Sequence, residues 1–120
     1  MSSRTVLRPY QVITNGNMAS NITSEVTVLQ SLSKISYDLS WSGSSPVGTA
    51  SLQVSNTYSL DPNGNVDNVG DWQTVTTSSI SGNTGTGFID AITGAYATRV
   101  IYTATSGTGT LNATVAGKTS

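Results

Sequence analysis

The clearest periodic signal in the chain lies over residues 35–41, where Ile35, Tyr37, Leu39 and Trp41 alternate with Ser36, Asp38 and Ser40. Strict alternation of apolar and polar positions marks a strand with one face buried, so four large side chains fall on a core face here. A turn-rich stretch from Gly43 through Pro46 to Gly48 follows, after which Ala50, Leu52 and Val54 alternate with Ser51, Gln53 and Ser55. The pattern predicts a hairpin of two strands. A polar connection over residues 56–71 leads to a short strand at 72–76, and the glycines between Gly82 and Gly87 predict a break before another short strand at 88–91. Thr93-Gly94 predicts a turn. Tyr96, Val100 and Tyr102 then alternate with Ala97, Arg99 and Ile101 in a strand over 95–105. Ser106-Gly107-Thr108-Gly109 is a tight-turn signal, and 110–116 returns with Leu111, Ala113 and Val115 on one face. Nearer the start, Tyr10 to Ile13 is extended, Asn15-Gly16 is a type I′ turn pair, and Val26 and Val28 have strand spacing. Seven or eight short strands with closely spaced turns predict an all-β fold, a single-domain antiparallel β-sandwich of jelly-roll-like kind. Its expected extent is residues 15–120, preceded by an N-terminal arm over 1–14.

Composition narrows the chemistry. Of 120 residues, 38 are Ser or Thr, and only 9% are charged, against about 25% in an average soluble protein. The polar faces of the strands are therefore neutral and hydroxyl-rich. Five basic and six acidic residues give a net charge of -1, and Arg4, Arg8, Lys34, Arg99 and Lys118 are scattered, so no basic stripe for a nucleic-acid backbone is expected. The chain has no Cys and no His, which removes disulfides, Cys/His metal centres and the usual nucleophile–base pairs. No run of 18 apolar residues suggests membrane insertion, and the opening decapeptide breaks at Arg8-Pro9 before any apolar stretch that a Sec leader would need.

Few positions carry candidate chemistry. Asp61, Asn63, Asn65 and Asp67 alternate as calcium-loop ligands would, but Val66 stands where the loop needs Gly and Trp72 where it needs a bidentate Glu, so an ordinary turn is expected. Glu25, Asp38, Asp61, Asp67, Asp71 and Asp90 are enough carboxylates for a glycosidase pair but lie in no recognisable catalytic context. No catalytic residue, metal site or cofactor is assigned, and the protein is expected not to be an enzyme. Asn21-Ile-Thr23 and Asn112-Ala-Thr114 match the glycosylation sequon, as chance would produce in so Asn- and Thr-rich a chain. Trp41 shares a face with Ile35, Tyr37 and Leu39 and is expected in the core. Trp72, beside the long connection, is the ligand candidate, suited to stacking on a sugar. In the arm, Arg4, Val6, Leu7, Arg8, Pro9 and Tyr10 mix charge with apolar surface; such a segment can stay loose, supply an edge strand or dock on a neighbouring subunit.

The segments 37–56, with Trp41-Ser-Gly43 and Gln53-Val-Ser-Asn56, 71–75, with Trp72, and 94–113, with Tyr96, Arg99, Tyr102 and Ser106-Gly-Thr-Gly-Thr-Leu-Asn112, resemble small all-β proteins of phage virions. The resemblance covers about residues 35–116. It implies a jelly-roll-like sandwich that serves as a capsid decoration, head-fibre or tail-fibre-tip module, often trimeric and without enzymatic activity. The expected partners are further copies of the chain and a capsid or fibre protein, and the expected location is the virion, assembled in the host cytoplasm. The alternative is a carbohydrate- or cell-surface-binding adhesin of a surface fibre, with a host glycan as ligand.

Overall fold

Abundant Thr, Val and Ile favour extended backbone, and the described residues form strands with no helix. The computed structural model describes residues 6–29, 34–93 and 95–118. In chain order the strands are β1 (Val6–Asn17), β2 (Ile22–Thr23), β3 (Thr27–Val28), β4 (Lys34–Ser55), β5 (Ser59–Leu60), β6 (Val66–Asn68), β7 (Gln73–Ile80), β8 (Thr84–Ile92) and β9 (Ala97–Lys118). Two of them, β4 and β9, are 22 residues long and pair antiparallel end to end, from Lys34 opposite Lys118 to Ser55 opposite Ala97.

All the other long strands attach to this pair. The first half of β4 carries β8 on its free side, and the second half of β9 carries β1, giving the order β1-β9-β4-β8. The second half of β4 carries β7, and the first half of β9 carries the short β2 and β3. The result is an antiparallel β-sandwich in one domain, whose two layers share their central strands. Strands β5 and β6 form a separate two-stranded ribbon within the 56–71 connection.

The hairpins predicted at residues 43–48 and 106–109 are not formed. Both segments stay within their strands and pair with each other, Gly43 opposite Gly109, Ser44 opposite Thr108 and Val47 opposite Ser106. They make one shared corner. Register shifts on either side of Val47 mark a bulge there, and Ser45 (φ 50°) and Gly107 (φ 79°) adopt left-handed backbone that lets the paired strands bend together. The bulge also changes which positions face inward: odd residues 35–41 are buried before the corner, and Pro46, Gly48, Ala50 and Leu52 after it. In β9 the change runs the other way, from Val100 and Tyr102 to Leu111, Ala113 and Val115. Side chains at the centre of the corner would not fit, since a Cβ on Gly43 would strike the Gly109 backbone, and one on Gly109 would lie 2.7 Å from the Ser42 carbonyl oxygen.

Neighbouring loops hold the corner in place. Asn83 accepts the Gly43 amide on its carbonyl at 2.7 Å and the Ser45 amide on its side-chain oxygen at 2.8 Å. On the β9 side, the Met18 amide donates to the Gly109 carbonyl at 2.9 Å, and Asn21 Oδ1 accepts the Ala104 amide at 2.9 Å. Asn21 and Asn112 are thus occupied as structural acceptors, Asn112 Oδ1 taking the Asn15 amide at 2.9 Å. The Asn15-Gly16 pair forms no turn; Asn15 (φ 52°) sits at a register shift inside β1, where Asn112 can satisfy its amide.

One continuous core fills the space between the layers. Tyr37, Leu39 and Trp41 from the first layer meet Leu52, Val100 and Tyr102 from the second, with Met18 and Ile80 closing the margins. Trp41 lies over Gly85, where a Cβ would collide with the indole. The predicted break at 82–87 is accordingly confined to Gly82 and Asn83, and Gly85 and Gly87 belong to β8 as the thin positions beneath Trp41 and Leu39. Tyr96, expected to share the inward face of its strand, precedes β9 and is exposed.

Burial pushes the Tyr37 hydroxyl up to about 12 from 10.0, a shift that the nearby Thr98 and Thr27 hydroxyls offset only in part. Burial raises Tyr102 as well. A phenol whose folded pKa exceeds its unfolded value keeps its full stabilising effect below about pH 10 and loses it as the pH climbs through about 12. Denaturant melts should therefore show stability falling steeply between these values, with Tyr37 accounting for roughly 2–3 kcal/mol of the loss; Tyr37→Phe should flatten that decline. Adding one methyl at the corner, by Gly43→Ala or Gly109→Ala, should cost about 1–3 kcal/mol in the same melts, as overpacking of a closed site does.

Candidate functional site

The sequence places Trp72 at the end of the 56–71 connection, and the structure gives it a cationic and an aromatic neighbour. The Arg99 guanidinium sits 4.3 Å from the ring centroid, and Tyr58 packs 5.9 Å away at 55°. The indole N–H donates to the Val69 carbonyl at 2.8 Å. Trp72 is half-buried, pinning the long connection against β9 with its N–H already satisfied. Arg99 is held in turn by Gln53, whose side-chain oxygen accepts its Nε at 3.0 Å, and partial burial lowers its pKa. Cation–π stacking of this sort contributes about 0.5–2 kcal/mol, enough to order a loop. The cluster is built as a latch, with Arg99 stacked over the indole ring.

The alternating Asp and Asn residues of the same connection form a turn. Asp61 Oδ1 accepts the amides of Asn63 and Asn65, both at 2.9 Å, while Gly64 takes a left-handed conformation (φ 85°). That carboxylate oxygen is engaged by backbone donors, the geometry of an Asx turn. Among the described residues no three acidic side chains gather where they could hold a metal ion.

Of the arm residues, Arg4 and the side chains of Val6, Leu7 and Arg8 lie outside the described residues. The backbone from Val6 takes the edge-strand option, pairing with β9 as β1. Pro9 falls at a register shift between Leu7 and Tyr10, the kind of edge position where a missing N–H does no harm. Tyr10 is part-exposed, with its hydroxyl 2.9 Å from Thr27 Oγ1 across the top of the layer.

A surface that sequence reasoning overlooked lies on β8. Phe88 is 60% exposed on the outer, polar face of its layer. With Asp38, Ser40, Thr86 and Thr114 it borders a shallow depression. The signal was present in the alternation of 84–92, since Phe88 shares parity with Thr84, Thr86 and Asp90 rather than with buried Ile89. A second exposed apolar group, Leu60, Val66 and Val69, lies on and beside the β5–β6 ribbon.

No protein-family model matches the chain, and no curated protein is similar to it in sequence. Among solved structures, the fold is similar to that of the SPBc2 prophage-derived protein YomS, with a TM-score of 0.52 and 16% identity over 97% of this chain and 96% of that one. It is also similar to VP2 of the infectious bursal disease virus subviral particle, with a TM-score of 0.54 and 9% identity over 97% of this chain and 32% of that one. The likeness at these identities is one of fold. The present chain matches nearly the whole of the prophage-derived protein and about a third of VP2.

The latch makes a specific prediction. Trp72→Ala should leave the core melt nearly unchanged and expose residues 56–71 to protease, with cleavage several-fold faster than in the parent; Trp72→Phe should restore most of the protection. Acrylamide quenching should meanwhile distinguish half-buried Trp72 from buried Trp41 in the parent protein.

Proposed function

We propose that the protein is a non-enzymatic structural component of a virus particle, a decoration or fibre module on a phage capsid or tail. The observation that carries this reading is the near end-to-end match in fold to a prophage-derived protein of almost the same extent. The similarity to a domain-sized part of a viral subviral-particle protein supports it. The surface agrees: the outer faces of β4, β7 and β9 present Ser, Thr and Asn, and the most conspicuous aromatic cluster serves to hold a loop. A rigid antiparallel sandwich with a neutral, hydroxyl-rich exterior is well suited to standing exposed on an assembled particle. Its assembly in the host cytoplasm would require no disulfides, and the chain has no Cys.

The test is to locate the protein. Antibody against the purified chain should label intact phage particles from a producing strain, and peptide mass spectrometry should recover the chain in fixed stoichiometry to the major capsid or tail protein. Particles that lack the chain, together with glycan-array binding abolished by Trp72→Ala, would replace this reading with the adhesin one.

A further inference from the structure

The sandwich has free sheet edges, and they are not alike. β1 carries Pro9 and three register shifts, and β2 and β3 are two residues each. β7 has a shift between Leu52 and Gln53 that leaves Val75 as an extra residue. Proline, bulges and short length are the usual devices that stop a sheet edge from recruiting another strand. β8 has none of them. Its nine residues pair with β4 without a single shift, from Thr84 opposite Ser42 to Ile92 opposite Lys34, and its one charged residue is Asp90. Among the described residues no strand pairs with its outer side.

The hydrogen-bond phase of that outer side follows from one contact. The Gly43 amide donates to the Asn83 carbonyl at 2.7 Å, continuing the β4–β8 register by one pair. Bonded and non-bonded pairs alternate in an antiparallel ladder, so the odd residues of β8 turn their backbone groups to β4, and Thr84, Thr86, Phe88, Asp90 and Ile92 turn theirs outward. Phe88 is the midpoint of this nine-residue strand. Two copies of β8 related by a two-fold axis through Phe88 overlap along their full length, with every outward N–H and C=O between 84 and 92 in phase to pair.

We propose that the protein forms a two-fold dimer through antiparallel β8–β8 pairing centred on Phe88, which joins the two four-stranded layers into one eight-stranded sheet. The side chains match in this register, which also overlaps the two strands along their full length. Phe88 meets its own copy, which covers the exposed ring. Thr86 lies opposite Asp90 of the partner, so the single charge on the edge faces a hydroxyl donor and the two carboxylates stay apart. On the inner face, Gly87 opposes Ile89 and Gly85 opposes Ala91, thin positions against wider ones. A two-fold through Asp90 would instead place like charges face to face, and one through Ile89 would set Phe88 against a carboxylate. The contact is isologous and closes at two copies. The inference stands independently of any role in a particle.

Sedimentation of the purified full chain should give twice its 12.4 kDa mass, falling to the single-chain mass in Phe88→Lys and in Thr86→Pro. Thr86 is chosen because its N–H points away from β4, so the proline removes a bond of the dimer and none of the monomer ladder; an unchanged far-ultraviolet spectrum verifies the fold. The register has its own readout, as the chain holds no other thiol. Paired residues about a two-fold lie about 5.5 Å apart at Cα, within disulfide reach, so Phe88→Cys should cross-link rapidly under mild oxidation. Thr86→Cys, displaced from its own copy, should cross-link at least ten-fold more slowly. A monomer at all concentrations, a trimer that persists in Phe88→Lys, or faster cross-linking through Thr86→Cys would overturn the proposal.

Discussion

Everything in this sandwich depends on the unbroken pairing of β4 with β9 through their common corner. Two ordinary hairpins would leave four short strands, each needing its own register. A single pair of 22-residue strands fixes the register of both layers at once, because β1 and β8 read theirs from one half, and β2, β3 and β7 from the other. The bend requires backbone to approach backbone where Gly43 meets Gly109, and a left-handed residue on each strand, at Ser45 and Gly107. The loops that carry Met18, Asn21 and Asn83 then pack around the bend, Met18 donating its amide to the Gly109 carbonyl while Asn21 and Asn83 accept the amides of Ala104, Gly43 and Ser45. Core and corner are therefore one construction: the phase change at the bulge is what turns Trp41 and Leu52, eleven positions apart and of opposite parity, toward the same interior.

The buried faces were legible in the sequence because side-chain alternation is a local property. Ile35, Tyr37, Leu39 and Trp41 lie inside as their spacing indicates, as do Leu111, Ala113 and Val115. Turns were less legible, and for a definite reason. Gly, Ser, Pro and Asn signal that the backbone departs from a flat strand, but the same residues serve a reversal, a bulge or a close approach. At 43–48 and 106–109 they bend two strands in concert; at Asn15-Gly16 they make a bulge; at Gly85 and Gly87 they make room for Trp41 and Leu39. Only the pairing partner decides among these uses, and the partner of Gly43 is 66 positions away.

The same division applies to the surfaces. The contrast between a core Trp41 and a more exposed Trp72 follows from their neighbours in sequence, whereas the stacking of Arg99 on Trp72 depends on a strand that begins 25 residues later. Phe88 opens the short strand that the sequence predicts at 88–91, and the glycines before it mask the longer alternation over 84–92 that turns the ring outward. Once the strand is continuous, the aromatic ring stands among hydroxyl side chains on a straight, unprotected edge. A protein that shields its other edges with Pro9, bulges and short strands, and leaves this one bare, presents a defined place for contact. That asymmetry accords with a building block made to be joined to others.

The shared corner is tested most directly by nuclear Overhauser contacts in the isotopically labelled protein. Continuous pairing predicts a strong Hα–Hα or cross-strand contact between Gly43 and Gly109, flanked by contacts from Trp41 to Leu111 and from Gly48 to Ala104. If those were absent, and Ser42 instead showed cross-strand contacts to Thr49, the chain would fold back at residues 43–48 as a hairpin, and continuous β4–β9 pairing would be contradicted.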